Sequence, residues 1–197
     1  MKRILSLLAL LLVLSALSGV ARADTLVFTT TLSGANEVPP NASPGTGNAV
    51  VTVDTVTQMM GVTATFSGLL DNTTVAHIHC CTGPEANAGV ATAVPTFPGF
   101  PAGATAGSYS QSFDLTLAST YNPAFITAHG GTVAGAQAAF LAGLQGGQTY
   151  FNIHTNLFPG GEIRGQLQPV PEPATLLLLG AGLVGTAGRA CRRRRNK

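Results

Sequence analysis

Seven stretches of the chain either alternate apolar and polar side chains or concentrate β-branched residues: Thr25–Leu32, Asn48–Val56, Gly61–Phe66, Thr73–His79, Ser108–Leu117, Gln148–Thr155 and Glu162–Gln168. A period of two sends successive side chains to opposite faces of an extended strand. Gly, Pro and Asn separate the stretches, so the pattern predicts an all-β domain, an antiparallel β-sandwich or Greek-key barrel. Thr132–Leu144 follows a different rule. There Val133, Ala136, Ala139, Phe140 and Leu144 share one helical face and Gly146-Gly147 follows, which predicts one short helix in a late connection. Asn122-Pro123 reads as the start of a turn of helix ahead of it, and Pro95–Pro101 as a loop.

Composition supports the strand reading. Of 197 residues 24 are Gly and 12 Pro, only 9% are charged, and Trp is absent. The net charge of +2 misleads until it is divided along the chain. Lys2, Arg3 and Arg22 lie at one end and Arg189, Arg192, Arg193, Arg194, Arg195 and Lys197 at the other. Residues 24–170 hold Arg164 alone against Asp24, Glu37, Asp54, Asp71, Glu85, Asp114 and Glu162, a net of −6. Such a body cannot neutralise a phosphate backbone, which excludes nucleic-acid binding as its main function.

The basic ends read as addresses. Lys2-Arg3, the apolar run from Ile4 to about Leu17 and the small-residue site Ala21-Arg22-Ala23 have the order of a secretory signal peptide, residues 1–23, cut by signal peptidase. From Pro171 the chain reads Pro171-Glu172-Pro173, then Ala174–Gly188, then Arg192–Arg195. Fifteen residues of helix rise about 22 Å, short of the ~30 Å hydrocarbon core, and four glycines weaken that helix further. This order, in residues 171–197, resembles the PEP-CTERM sorting signal. The resemblance implies an exported bacterial protein, inserted transiently in the membrane by its tail, processed by an exosortase-type enzyme and placed at the cell-envelope surface or in the extracellular matrix.

Two segments of the body, residues 24–170, stand out as motifs. Ala76-His77-Ile78-His79-Cys80-Cys81 ends one strand, and Tyr150-Phe151-Asn152-Ile153-His154-Thr155 leads through Pro159 into Gly160-Gly161-Glu162-Ile163-Arg164-Gly165-Gln166-Leu167. With Leu32–Pro40 near the start, they resemble the CHRD domain, the module named after chordin, over roughly Thr25–Gln168. The resemblance implies the fold and an extracellular setting; it names no ligand.

Alternation places His77 and His79 on one face of their strand and Ala76, Ile78 and Cys80 on the other. Asn152 and His154 likewise oppose Phe151 and Ile153, and Glu162, Arg164 and Gln166 oppose Ile163 and Leu167. Neutral imidazoles are good ligands for Zn or Cu, and His-x-His offers two of them to one ion. His77, His79 and His154 are therefore candidate metal ligands, with Cys81 as a fourth and Asn152, Glu162 and Arg164 behind them. The same residues also make sense as a hydrogen-bonded polar network over the sheet, with Glu162 and Arg164 as an ion pair or a brace for His154. A strand-borne His-x-His in such a fold is similar to the copper strand of copper-zinc superoxide dismutases, but no second His/Asp-rich loop follows, so dismutase activity is not implied. Cys80 and Cys81 are open to two readings, a vicinal disulfide or two thiols, in an oxidising compartment. His129, in a glycine turn, is given no role.

Two functions compete at this point. The first is a non-enzymatic binding module for an extracellular polysaccharide or surface protein. The second is a His-based metalloprotein with redox or hydrolytic activity. Processing is testable on its own: the intact mass of protein recovered from the envelope or medium should lack Met1–Ala23 and the segment after about Pro173, and a mass retaining Arg192–Arg195 refutes removal of the tail.

Overall fold

The computed structural model describes residues 25–171, so the signal peptide and the sorting motif beyond Pro171 lie outside the described residues. Strands β1 (Thr25–Ser33), β2 (Thr46–Asp54), β3 (Met59–Ser67), β4 (Thr73–Cys80), β5 (Gly107–Asp114), β6 (Thr149–Thr155), β7 (Ile163–Gln166) and β8 (Gln168–Pro169) make one antiparallel sheet. Its order is β4-β6-β7-β1-β2-β3-β5, with β8 also on β1, and it curls into a half-barrel. The all-β expectation holds. Two short helices complete the domain, α1 (Pro123–Ala128) and α2 (Val133–Gln145).

Local chemistry explains where the elements stop. The Asp54 carboxylate accepts from the backbone N–H groups of Val56 and Thr57 at 2.8 Å, turning the chain into β3 two residues before the alternation suggests. Asp114 does the same for Thr116, so β5 is shorter than expected. The Thr132 hydroxyl caps α2 by accepting from the Gly135 N–H, and Gly147 leaves the helix at φ +63. The stretch expected as one strand over Glu162–Gln168 is two. Leu167 N–H donates to the Thr149 carbonyl, whereas Gln168 and Pro169 pair with β1.

The concave side of the sheet buries Phe28, Leu32, Val51, Val62, Phe66, Ile78, Phe151, Ile153, Ile163 and Leu167. Phe97, from the Pro-rich loop, enters this core and meets the rings of Tyr109, Phe113 and Phe151 at 5.9, 5.4 and 5.8 Å. The same loop covers the edge of β4: Phe97 N–H donates to Ala76 O and Ala91 N–H to Ile78 O. Helix α2 adds Ala136, Phe140 and Leu144. Among the described residues no helix is long and apolar enough to cross a membrane.

The register of β6 is open to test, because a shift of one residue would exchange its two faces. Ile153→Ala should lower stability by about 2–5 kcal/mol in urea unfolding, whereas Thr132→Ala, which loses only a helix cap, should cost about 1 kcal/mol. Equal unfolding curves for Ile153→Ala and wild type would refute the register.

Candidate metal centre

Strand β4 lies beside β6 in antiparallel register, His77 opposite Asn152, His79 opposite Tyr150 and Val75 opposite His154. Because Ala76, Ile78, Phe151 and Ile153 fill the core, the even-numbered positions of β6 and the odd-numbered positions of β4 share the convex face. His77, His79 and His154 meet there. Their ring centroids are 5.6–5.9 Å apart, and one ring nitrogen of each lies within 4.8 Å of the other two. This face is not solvated. The three residues are 5, 8 and 7% exposed, because flanking loops close over them.

Each loop supplies a backbone carbonyl to one ring. His77 Nε2 donates to Pro95 O at 2.7 Å, His79 Nδ1 to Ala88 O at 2.9 Å and His154 Nδ1 to Pro159 O at 3.0 Å. A carbonyl only accepts, so each of these nitrogens carries the proton and the other ring nitrogen keeps its lone pair. Those others, His77 Nδ1, His79 Nε2 and His154 Nε2, are buried without a hydrogen-bond partner among the described residues. Three adjacent buried acceptors with no donor between them are costly unless a cation meets them. Fixing the tautomer through the far nitrogen is also what surrounding groups do for metal-bound histidines.

Burial keeps the trio neutral. Desolvation lowers the pKa of His77 and of His79 to about 4, against the opposing effect of the carbonyl each ring donates to, and it lowers that of His154 as well.

Beside the trio lies a second buried group, of which the sequence pattern singled out Arg164 but not Tyr150 or Glu37. The Tyr150 ring stacks on His79 at 4.7 Å with an interplanar angle of 5°, and the Arg164 guanidinium sits 4.1 Å from the centroid of the same ring. Arg164 is buried and bonded to Asn87 Oδ1, Pro84 O and Ala86 O, while Tyr150 Oη meets Ala88. Together they tie the 84–88 loop over the site. Glu37 is also buried here; desolvation raises its pKa to about 7 despite the lowering effects of Arg164 and Asn152. Glu37 stands in the Leu32–Pro40 motif, but nothing in a one-dimensional pattern says that this loop folds onto β6 and β7. Glu37, Arg164 and Gln166 line a groove of about 610 Å³ that reaches β1, and none of the three histidines lines it.

Three expected roles change. Cys81 does not join the histidines: it is exposed, its sulfur is bonded to that of Cys80 across a cis peptide, and it lies toward Ala139 and Gly143 of α2. Glu162 braces no imidazole and makes no ion pair with Arg164. It precedes β7, after Gly161 at φ +132, and its carboxylate accepts from Ser43 Oγ, Leu70 N–H and Thr155 Oγ1 at 2.6–2.7 Å. Asn152 is on the site face but interacts with Glu37, the ring N–H groups being taken by carbonyls. His129 donates from Nδ1 to Phe125 O at 2.8 Å and packs on that ring, away from the trio.

Fold and site define an all-β extracellular-type domain with a buried three-histidine cluster on its convex face. The chain belongs to the CHRD domain family, whose model matches residues 28–167, and residues 169–195 match the PEP-CTERM protein-sorting motif. No curated protein and no solved structure matches it. The sorting motif makes this an exported protein, transiently anchored by its C-terminal tail and handled by an exosortase, consistent with a place at the cell-envelope surface.

The tautomers are a sharp test. At pH 7, long-range ¹H–¹⁵N spectra of metal-free protein should show His77 protonated at Nε2 and His79 and His154 at Nδ1, and the His77 and His79 ring resonances should titrate near pH 4. Since imidazoles of the unfolded chain take up protons near 6.5, these two contribute stability above that pH that is lost between about 6.5 and 4. Glu37 has the opposite sign: its contribution is complete below about 4.5 and lost as pH rises through 7. A cluster titrating near 6.5 would refute its burial.

Proposed function

We propose that this protein is an exported metal-binding module of the cell envelope in which His77, His79 and His154 hold one Zn or Cu ion. The observation that carries this reading is the set of three buried ring nitrogens, each without a partner and each on a ring whose other nitrogen is held by a loop carbonyl. A purely structural polar network would place donors opposite these acceptors, since buried polar groups are paired as a rule. Here they face one another.

Three imidazoles leave a fourth coordination position, as in catalytic centres. Against hydrolytic or redox turnover stands the closed face: with side chains 5–8% exposed, the cluster lies apart from the groove, and a bulky substrate has no direct approach. Capture and retention of the ion fit this enclosure better than turnover. On this reading the binding role is exercised toward a metal, and a polysaccharide or surface-protein partner would use the groove or the remaining exterior.

Demetallated protein, reconstituted with Zn(II) or copper and freed of excess ion, should retain about one equivalent by elemental analysis. His77→Ala and His154→Ala should each weaken retention by at least ~100-fold, while His129→Ala should leave it unchanged. No retention by wild type, or retention in both cluster variants equal to that of wild type, refutes the proposal.

A further inference from the structure

Resting on that metal reading, we infer that the site discriminates by charge and is built for monovalent copper, Cu(I), in preference to Cu(II) or Zn(II). The first argument is the donor set. All three ligand atoms are neutral imidazole nitrogens, and among the described residues no Cys, Asp or Glu joins the cluster. The sulfur that the sequence places nearest, that of Cys81, is committed to a disulfide. A dication buried among neutral donors carries two uncompensated charges and a monocation one. The cost of removing an ion from water rises steeply with its charge. Imidazole serves copper as well as zinc, so donor softness does not decide between them; coordination number does, since Cu(I) accepts three ligands or fewer whereas Zn(II) normally completes four.

The second argument is the position of the only basic side chain in the body of the chain. Arg164 lies on the far side of the Tyr150 ring from β4: its guanidinium is 4.1 Å from the ring centroid, and the ring stacks on His79 at 4.7 Å. This places a fixed positive charge one aromatic ring away from the ligand cluster, held by three acceptors that are neutral: Asn87 Oδ1, Pro84 O and Ala86 O. No carboxylate bonds to it: Glu162 accepts from Ser43, Leu70 and Thr155 instead, and Glu37, whose carboxyl Arg164 acts on, is buried where the ionised form is disfavoured. A like charge at this distance, in a medium of low polarisability, repels a dication about twice as strongly as a monocation. Tyr150 has a defined place in this arrangement, as the flat spacer that fixes the separation of Arg164 and His79.

Anaerobic competition against a chromophoric Cu(I) chelator, with ascorbate as reductant so that the disulfide stays intact, gives the Cu(I) dissociation constant. Parallel titrations give those for Cu(II) and Zn(II). The expected result is Cu(I) bound at least ~100-fold more tightly than Cu(II), which places the bound couple about 120 mV above aqueous copper. Arg164→Gln should narrow that ratio by about tenfold or more, Arg164→Lys should keep it within a few-fold, and Glu37→Gln, measured at pH 8 where the wild-type carboxylate is ionised and offsets Arg164, should widen it. Because the Lys and Glu37 variants carry the charge test separately, loss of folding in Arg164→Gln alone does not remove it. Histidine-dependent uptake of Zn(II) or Cu(II) as tight as that of Cu(I) overturns the charge selection and leaves the metal centre standing. A wild-type ratio in Glu37→Gln at pH 8, or in folded Arg164→Gln, overturns the part assigned to Arg164. No uptake of any of the three ions overturns the metal reading itself.

Discussion

The antiparallel register of β4 on β6 is the constraint from which the rest of the site follows. Ala76 pairs with Ile153 and Ile78 with Phe151, and all four side chains enter the core. Once they do, pleating leaves no choice about the intervening residues: His77, His79, Asn152 and His154 must stand on the convex face. Hydrophobic burial on one side of the sheet thus positions polar chemistry on the other, and the ligand geometry is held by a core containing none of the ligands. A one-residue slip would exchange the two sets and forfeit both.

A sheet face carrying three imidazoles would ordinarily be wet. Here the loops at 34–44, 84–97 and 156–161 fold over it, and they are anchored by the polar groups they cover. Pro95, Ala88 and Pro159 carbonyls accept from the rings, Asn36 Nδ2 donates to Arg164 O, and Asn41 Nδ2 to Glu162 O. Each of these contacts satisfies a backbone group that burial would otherwise leave unpaired. The arrangement is reciprocal: the loops exclude water from the histidines, and the convex face gives the loops defined conformations. The price is three buried lone pairs, a debt that a bound cation would discharge and that no side chain in the described structure does.

Charge is scarce in this domain, and its placement is correspondingly informative. Arg164 has no carboxylate to hold it in the manner expected of a surface ion pair; its guanidinium is satisfied by carbonyls and an amide and stacked on an aromatic ring. The geometry uses the flat, delocalised cation both as a clasp for the 84–88 loop and as a face for Tyr150. Glu162, three residues into the Gly160-Gly161-Glu162 turn, serves instead as an acceptor for Ser43, Leu70 and Thr155, tying β6 and β7 to loops on the core side.

Strand identities, the helix over Val133–Gln145 and the inward set Ile78, Phe151, Ile153 and Ile163 were legible because period-two and period-3.6 patterns depend on near neighbours alone. The same local rule placed His77 and His79 on one face, and the alternation of Asn152 and His154 put those two on the opposite face of their own strand from the core. Local rules failed where the chain departs from regular extension. Alternation carried past the strand ends put Glu162 beside Arg164 and Cys81 beside the histidines, but after Gly161 the Glu162 carboxylate meets Ser43, Leu70 and Thr155, and the Cys80–Cys81 linkage holds the exposed Cys81 against α2, away from the histidines. What only the tertiary structure decided is which strands adjoin and what covers them. Residues 77 and 154 are far apart in sequence, and their meeting depends on a sheet order, β4-β6-β7-β1, in which neighbours in space are not neighbours in sequence. Burial of the convex face, the tautomers and the role of Glu37 depend further on loops whose resting places are set by hydrogen bonds to distant strands. Such long-range pairings are selected by the free energy of the whole fold, so no window of sequence contains them.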